Sequence, residues 1–336
     1  SSPSRGLGDV YKRQVINMNN FKKVGLTALA GSLIASSAFA ASMSVTGGAD
    51  ISLVNSSNAD QGNGFSSGDS LNFSASGELD NGFVITSKVE VDGGTYDDRS
   101  VVIAMPEMGT LTFQQSGSTA MGAVDDVMPT AYDSSWDVLG SSTTAPATGQ
   151  ALKATTIGGY GTNNEFSYSA PEMVEGLGVT VSYTPSGAAR PDGTTSFALA
   201  YTGVEGLTVG YAEEDNGLAG TSKIDANTMY AKYAFGSFTV GVQSSEADGG
   251  LAADDDEFSA HGITYQISDD LTIGYHASEY QFGDKTADQE TKSVQAAYTM
   301  GGMTLKAQSV SMDNVGGSTA ARDDVDGYKF SVSFAF

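Results

Sequence analysis

The chain of 336 residues carries 40 acidic against 16 basic side chains, a formal net charge of −24, two histidines and no cysteine. So acidic a chain repels nucleic-acid phosphates, and it draws cations toward any cleft or channel that it lines. The lack of cysteine excludes disulfides and thiolate metal sites. Two histidines without a His-Glu-x-x-His pair leave little for hydrolytic chemistry, and no enzymatic activity and no cofactor are expected.

From the N-terminus, Met18 opens a stretch with the layout of a secretory signal. Lys22 and Lys23 supply its positive end, Val24 to Ala35 a short apolar run, and Ala38-Phe39-Ala40 a small-x-small cleavage site. The apolar run is shorter than the roughly 20 residues a membrane-spanning helix needs. Residues 1–17, upstream of that methionine, read as a non-native remnant, 18–40 as a signal peptide, and 41–336 as a single domain. Cleavage after Ala40 removes five basic residues and one acid, which takes the formal charge to −28.

Past Ala40 the chain reads as one alternating segment after another. Leu177, Val179, Val181 and Tyr183 alternate with Gly178, Thr180, Ser182 and Thr184. The same period of two places Leu207, Val209 and Tyr211, then Phe238, Val240 and Val242, then Leu271, Ile273 and Tyr275 opposite Gly, Ser and Thr. It ends with Tyr328, Phe330, Val332, Phe334 and Phe336 against Lys329, Ser331, Ser333 and Ala335. The pattern predicts sixteen strands, over 43–55, 70–79, 82–92, 99–105, 110–117, 163–170, 177–186, 194–202, 207–214, 226–235, 238–246, 257–267, 271–282, 291–299, 303–312 and 327–336.

The connections alternate between short (Asp80-Asn81, 106–109, 203–206, Gly236-Ser237, 268–270, 300–302) and longer acidic or Gly/Ser stretches such as 248–256 and 313–326. Outer-membrane barrels sort their connections in this way, with tight turns at one rim and long loops at the other. The expected fold is therefore all-β, a transmembrane antiparallel up-and-down barrel. The segment Ser118–Thr162, which holds the only tryptophan, Trp136, is too long for an ordinary connection, and it is expected to fold inward and narrow the lumen.

With its signal ending Ala-Phe-Ala, its sixteen segments, its long third loop and its terminal Phe336, the chain resembles the trimeric general diffusion porins of Gram-negative outer membranes, of the alphaproteobacterial type. The run Arg99–Ala104 through Gly109–Phe113 is similar to that family's hairpin before the constriction loop. The resemblance covers the whole mature chain. It implies a homotrimer, passive passage of ions and small hydrophilic solutes, outer-membrane lipid around the barrel, and recognition by the barrel-assembly machinery through Phe336. The chain departs from the family in having Gln114-Gln115 where a pore-wall arginine often stands, and its mature arginines are only Arg99, Arg190 and Arg322.

If the long loop folds inward, Asp125, Asp126, Asp133 and Asp137 form the constriction and select for cations. The competing reading is an ordinary solvated loop. On the opposing wall, Lys88, Lys232, Lys306 and Lys329 have the parity of the polar face, as do Glu78 and Glu90, because a lysine facing lipid at mid-depth costs about 2–4 kcal/mol. His276 shares that inward parity, whereas His261 falls at an irregular strand end. Tyr183, Tyr201, Tyr211, Tyr233, Tyr265, Tyr275, Tyr298, Phe235 and Phe334 read as interfacial girdles. The acidic runs Asp254–Glu257 and Asp323–Asp326 lack calcium-loop spacing and read as solvated loops, with divalent bridging to anionic lipid left open. Two other readings compete with the diffusion channel: a non-conducting structural or adhesive barrel, and a substrate-specific porin.

Overall fold

The computed structural model describes residues 42–57, 63–116, 120–124, 127–135, 163–187, 192–218, 220, 223–251, 255–319 and 324–336. The proposed signal peptide and remnant lie outside them. The described chain forms β1 (Ser42–Ser56), β2 (Asn63–Glu78), β3 (Val84–Asp92), β4 (Thr95–Met105), β5 (Gly109–Ser116), β6 (Asn163–Ser169), β7 (Leu177–Thr184) and β8 (Thr194–Val204). It continues as β9 (Leu207–Asp215), β10 (Ile224–Phe235), β11 (Phe238–Gly249), β12 (Asp256–Gln266), β13 (Leu271–Gln281), β14 (Gln289–Met300), β15 (Met303–Asp313) and β16 (Val325–Ala335). Every strand pairs antiparallel with its sequence neighbour, and β1 pairs with β16 to close the barrel. No helix among the described residues is long and apolar enough to cross a membrane.

Burial in this barrel is inverted relative to a water-soluble fold. Val294, Val242 and Phe330 are 64 %, 58 % and 49 % exposed, whereas Thr228 and His276 are both 0 % and Gln295 is 2 % exposed. The alternation in the sequence therefore divides an apolar outer face from a polar inner one. On the outer face Tyr233, Phe235, Phe238 and Tyr265 form a continuous row of rings, with centroids 5.6, 5.6 and 4.5 Å apart. Rings at this position fit an interfacial girdle, whose amphipathic side chains sit between hydrocarbon and water.

All sixteen predicted segments are strands, but two begin earlier than the alternation suggests. β2 starts at Asn63 instead of 70, and β4 at Thr95 instead of 99. The added residues are mostly polar or glycine, and backbone pairing holds them there: Asn63–Asp69 with β1, and Thr95 and Tyr96 with Asp92 and Val91. A hydropathy pattern cannot register pairing of this kind. The extension of β4 leaves Gly93-Gly94 as a two-residue turn, both residues at positive φ (54° and 81°), where a longer connection was expected. Two glycines suit a hairpin turn that needs φ > 0 at both central positions. The alternation of short and long connections is thus interrupted at this hairpin.

Candidate functional site

The inner wall is largely polar, and the long loop docks on an apolar patch of it. Ala198, Ala212 and Ala226 on β8–β10, with Tyr230, Ala247, Phe258, Ala260 and Tyr280, form a buried apolar cluster with Ala120, Met121, Val124 and Met128 of the loop. Met121 is 0 % exposed and sits in a single 3-10 turn, Met121–Ala123. Deleting a buried methionine side chain of this kind costs about 2–5 kcal/mol. Further along, a glycine stands on each of three consecutive strands: Gly241 on β11, Gly262 on β12 and Gly274 on β13. A Cβ at Gly241 would stand 2.6 Å from Pro129 Cδ, one at Gly262 2.5 Å from the Pro129 carbonyl oxygen, and one at Gly274 3.2 Å from the Ala131 nitrogen. The missing side chains form a track in which the loop lies flat against the wall.

Beyond that track the loop is held by hydrogen bonds. The Ala131 and Tyr132 N–H groups both donate to Gln295 Oε1, at 2.7 and 2.9 Å. Gln295 Nε2 and Gln308 Nε2 both donate to the Asp133 carbonyl, at 2.5 and 3.2 Å. Ser135 N–H donates to His276 Nδ1 at 3.1 Å, and the Ser135 hydroxyl meets that of Thr291. At its other end, Ala120 N–H donates to Ser182 Oγ on β7 at 3.0 Å. Buried backbone donors and acceptors that water would otherwise serve are thus satisfied by the wall.

Of the four aspartates expected at the constriction, Asp125, Asp126 and Asp137 lie outside the described residues. Asp133 lies on the wall, where its carboxylate is paired with Lys329 at 3.6 Å. Tyr132 beside it carries the ammonium groups of Lys306 and Lys329 over its ring, 5.4 and 5.3 Å from the centroid. Asp50 on β1 faces the same group across the barrel closure, near enough for its charge to act on Tyr132. Lys232 stands in register with Gly241 of the track and so shares its inward face. Lys88 and Glu90 share a face with Ser74 and Asn72 of β2, and Glu90 accepts from Asn72 at 3.4 Å and from Ser70.

Around β1–β3 the inner wall is different. Ser66, Asn72 and Lys88 are exposed, whereas Gln243, His276, Gln295 and Gln308 on the loop side are buried. The described part of the loop thus leaves one side of the lumen open to solvent. Arg99 does not supply a wall charge: it pairs across from Val89 and its guanidinium lies 5.2 Å from the Tyr96 ring, on the outer face. Arg190 and Arg322 lie outside the described residues.

His276 has the inward position expected of it, beneath the loop. His261 does not fall at an irregular strand end. It lies within β12 on the outer face, in register with Val242 and Ala277, its ring 6.2 Å from that of Tyr275. Among the described residues it has no hydrogen-bonded serine. The run Gly64-Phe65-Ser66-Ser67-Gly68, passed over in the sequence, has Gly-x-Ser-x-Gly spacing but is extended within β2 and makes no strand-to-helix elbow. In the acidic runs, Asp255 accepts from Gly249 N–H, Asp256 from Tyr280 and Gly283, and Asp324 from Asn314 N–H. Asp254 and Asp323 lie outside the described residues, and no group of three or more potential metal-ligating acids or histidines occurs among the described ones. Tyr132, Gln295, Gln308, Asp50 and the glycine track were not singled out in the sequence. Glycines at inward parity on neighbouring strands were its one visible trace.

The comparisons with known proteins agree with this geometry. Residues 25–336 match the family model described as Gram-negative porin. No curated protein sequence matches the chain. Among solved structures, the fold is similar to an in-vitro folded trimer form of OmpT, an outer membrane protein of Vibrio cholerae, at 12 % identity over 88 % of this chain and 100 % of that one, with a TM-score of 0.63. It is similar to an anion-selective porin from Comamonas acidovorans at 14 % identity, over 88 % and 100 % of the two chains, with a TM-score of 0.63. A doubly substituted variant of the Rh. blastica porin is similar at 15 % identity over the same shares, with a TM-score of 0.61. At such identities the solved structures show the fold alone. The family match, covering nearly the whole chain, shows more: this chain belongs to the Gram-negative porins, multi-pass β-barrels of the outer membrane.

Proposed function

We propose that the protein is a cation-preferring channel for passive diffusion of ions and small hydrophilic solutes, working as a homotrimer and without enzymatic activity. The observation that carries this reading is the asymmetric lumen. The loop is pinned flat against the wall from β7 round to β16, and the β1–β3 wall remains solvated, so the described part of the loop narrows the pore without filling it. A solute crossing there meets serine, asparagine and charged side chains that substitute for part of its hydration shell.

Cation preference rests on charge balance. The inward lysines are Lys88, Lys232, Lys306 and Lys329, and Asp133 occupies one of them. Asp50, Glu90 and Asp256 add carboxylates to the inner face, within a chain of net charge −24. Asp125, Asp126 and Asp137 would add to it if they reach the lumen. The similar Comamonas porin is described as anion-selective, so the fold does not dictate the sign of selectivity, and the side chains of the lumen set it. The trimer reading draws on the trimer form of OmpT. We further propose that residues 18–40 direct export and are removed, that residues 1–17 are no part of the native protein, and that Phe336, 72 % exposed at the barrel end, is what the assembly machinery reads.

Planar-bilayer recording of the refolded chain under a KCl gradient tests this reading. Ohmic steps closing in thirds, with a reversal potential of cation sign, are expected. Silent bilayers from barrel shown to be folded would overturn the diffusion reading in favour of a structural or adhesive barrel, and saturable block by one solute class would point to a substrate-specific pore.

A further inference from the structure

Ser135 of the long loop meets the wall at a buried imidazole. It and His276 on β13 are both 0 % exposed. The Ser135 N–H donates to His276 Nδ1 at 3.1 Å, and the Ser135 hydroxyl lies 2.9 Å from the same nitrogen. That hydroxyl also meets Thr291 Oγ1, which lies 2.6 Å from Ser278 Oγ. A backbone N–H can only donate, so Nδ1 must offer its lone pair. The docked loop therefore requires the neutral imidazole with its proton on Nε2. An imidazolium carries a proton on both nitrogens and has no lone pair for Ser135.

The surroundings of His276 do not favour a charge. Across β12 and β14 it faces Gly262 and Ser293 in register, with Ala260, Thr291 and Gln295 diagonal to it. Its titratable neighbours are His261, on the outer face of β12 opposite Ala277, and Asp133, two residues before Ser135 in the loop. The first would repel a second cation, and the carboxylate of the other is paired with Lys329 at 3.6 Å. A proton on Nδ1 would thus set two donors against each other and bury a charge without a partner.

We infer that His276 is an acid-released latch of the loop: its protonation frees Ser135, and the loop end at that residue leaves the wall and narrows the open side of the lumen. The narrowing rests on the diffusion reading, whereas the release does not. Docking holds only with the neutral imidazole, which ordinarily takes up its proton near pH 6.5, so the latch is fastened above that range and lost as the pH falls below it. The bonds from Gln295 and Gln308 involve no titrating side chain, so they persist and release begins at Ser135.

Trp136, the only tryptophan, follows Ser135 in sequence, so its emission reports on the latch without any current. The test takes the detergent-refolded full chain and His276→Asn, whose side-chain oxygen offers an acceptor that does not titrate, from about pH 7.5 to about pH 4. Trp136 emission and bilayer conductance are recorded, with heat-modifiable gel mobility as the check of folding. Carboxylates titrate in both chains, so the difference between them isolates the histidine. A reversible emission step and a roughly two-fold fall in conductance are expected in the parent, beyond any change in the variant. Should the variant fail to fold, nitrogen NMR of the histidine-labelled parent decides: the proton of His276 is expected on Nε2 at neutral pH, with the imidazolium appearing together with the emission step. Emission profiles that coincide in the parent and the folded variant, or a neutral His276 with its proton on Nδ1, would overturn the latch. An emission step without a fall in the measured conductance would overturn the narrowing. Silent bilayers with the emission step intact would overturn the diffusion reading and leave the release standing.

Discussion

The two sides of the lumen are built from the same alternating strands but put to opposite use. From β8 to β15 the wall beneath the loop is shaped to receive it: alanines take Met121, glycines leave room for Pro129 and Ala131, and Gln295 and Gln308 serve the loop backbone. On β2 and β3 the inward Ser66, Asn72 and Lys88 stay exposed, with no loop over them in the described structure. A wall that docks a loop needs depressions and fixed hydrogen-bond partners. A wall that passes solute needs polar groups that water can replace.

The largest effect expected from erasing that contrast comes from filling the glycine track. Gly241→Val with Gly262→Val forces the loop off the wall at Pro129, with strain of about 1–3 kcal/mol per site, and should lower single-channel conductance at least about two-fold as the loop moves into the open side. Unchanged conductance in a folded barrel would show that the track does not position the loop. Next in size, Gln295→Leu removes the acceptor of two loop N–H groups and one donor to Asp133. At about 1–3 kcal/mol per orphaned buried group, the loop should become cleavable by added protease roughly tenfold faster, with the barrel still folded on a heat-modifiable gel.

A smaller change sharpens the electrostatic side of the comparison. Lys329→Gln releases the Asp133 carboxylate, and the cation-to-anion permeability ratio from reversal potentials should rise by about two-fold, whereas Asp133→Asn should lower it by a similar factor. The smallest effect belongs to the open wall. Lys88→Gln, at a solvated position, should shift selectivity in the cation direction by well under about two-fold and vanish at high salt, since the Debye length falls to about 3 Å at 1 M. A Lys88 effect as large as that of Lys329 would mean that the constriction lies on the β1–β3 side.

The strands were legible because lipid and water on two sides of one sheet impose a period of two, which Tyr328–Phe336 and Leu177–Thr184 display without interruption. The beginnings of β2 and β4 were not, since Asn63–Asp69, and Thr95 with Tyr96, are held by backbone pairing with no apolar face to announce it. For the site, parity sufficed to turn Lys88, Lys232, Lys306, Lys329, Glu90 and His276 inward. It could not show that Asp133 is paired with Lys329, a partner 196 residues away in sequence.

By itself, then, the sequence determined the barrel, its inside and outside, and its acidic character, because these follow from alternation and composition, which are local. Only the tertiary structure decided where the loop lies and which charges it meets. Gly241, Gly262 and Gly274 become a track only once three strands are in register, and Gln295 becomes an anchor only when Ala131 is brought to it across 164 residues of chain. Contacts of that range depend on the closure of the barrel, and no window of sequence contains them.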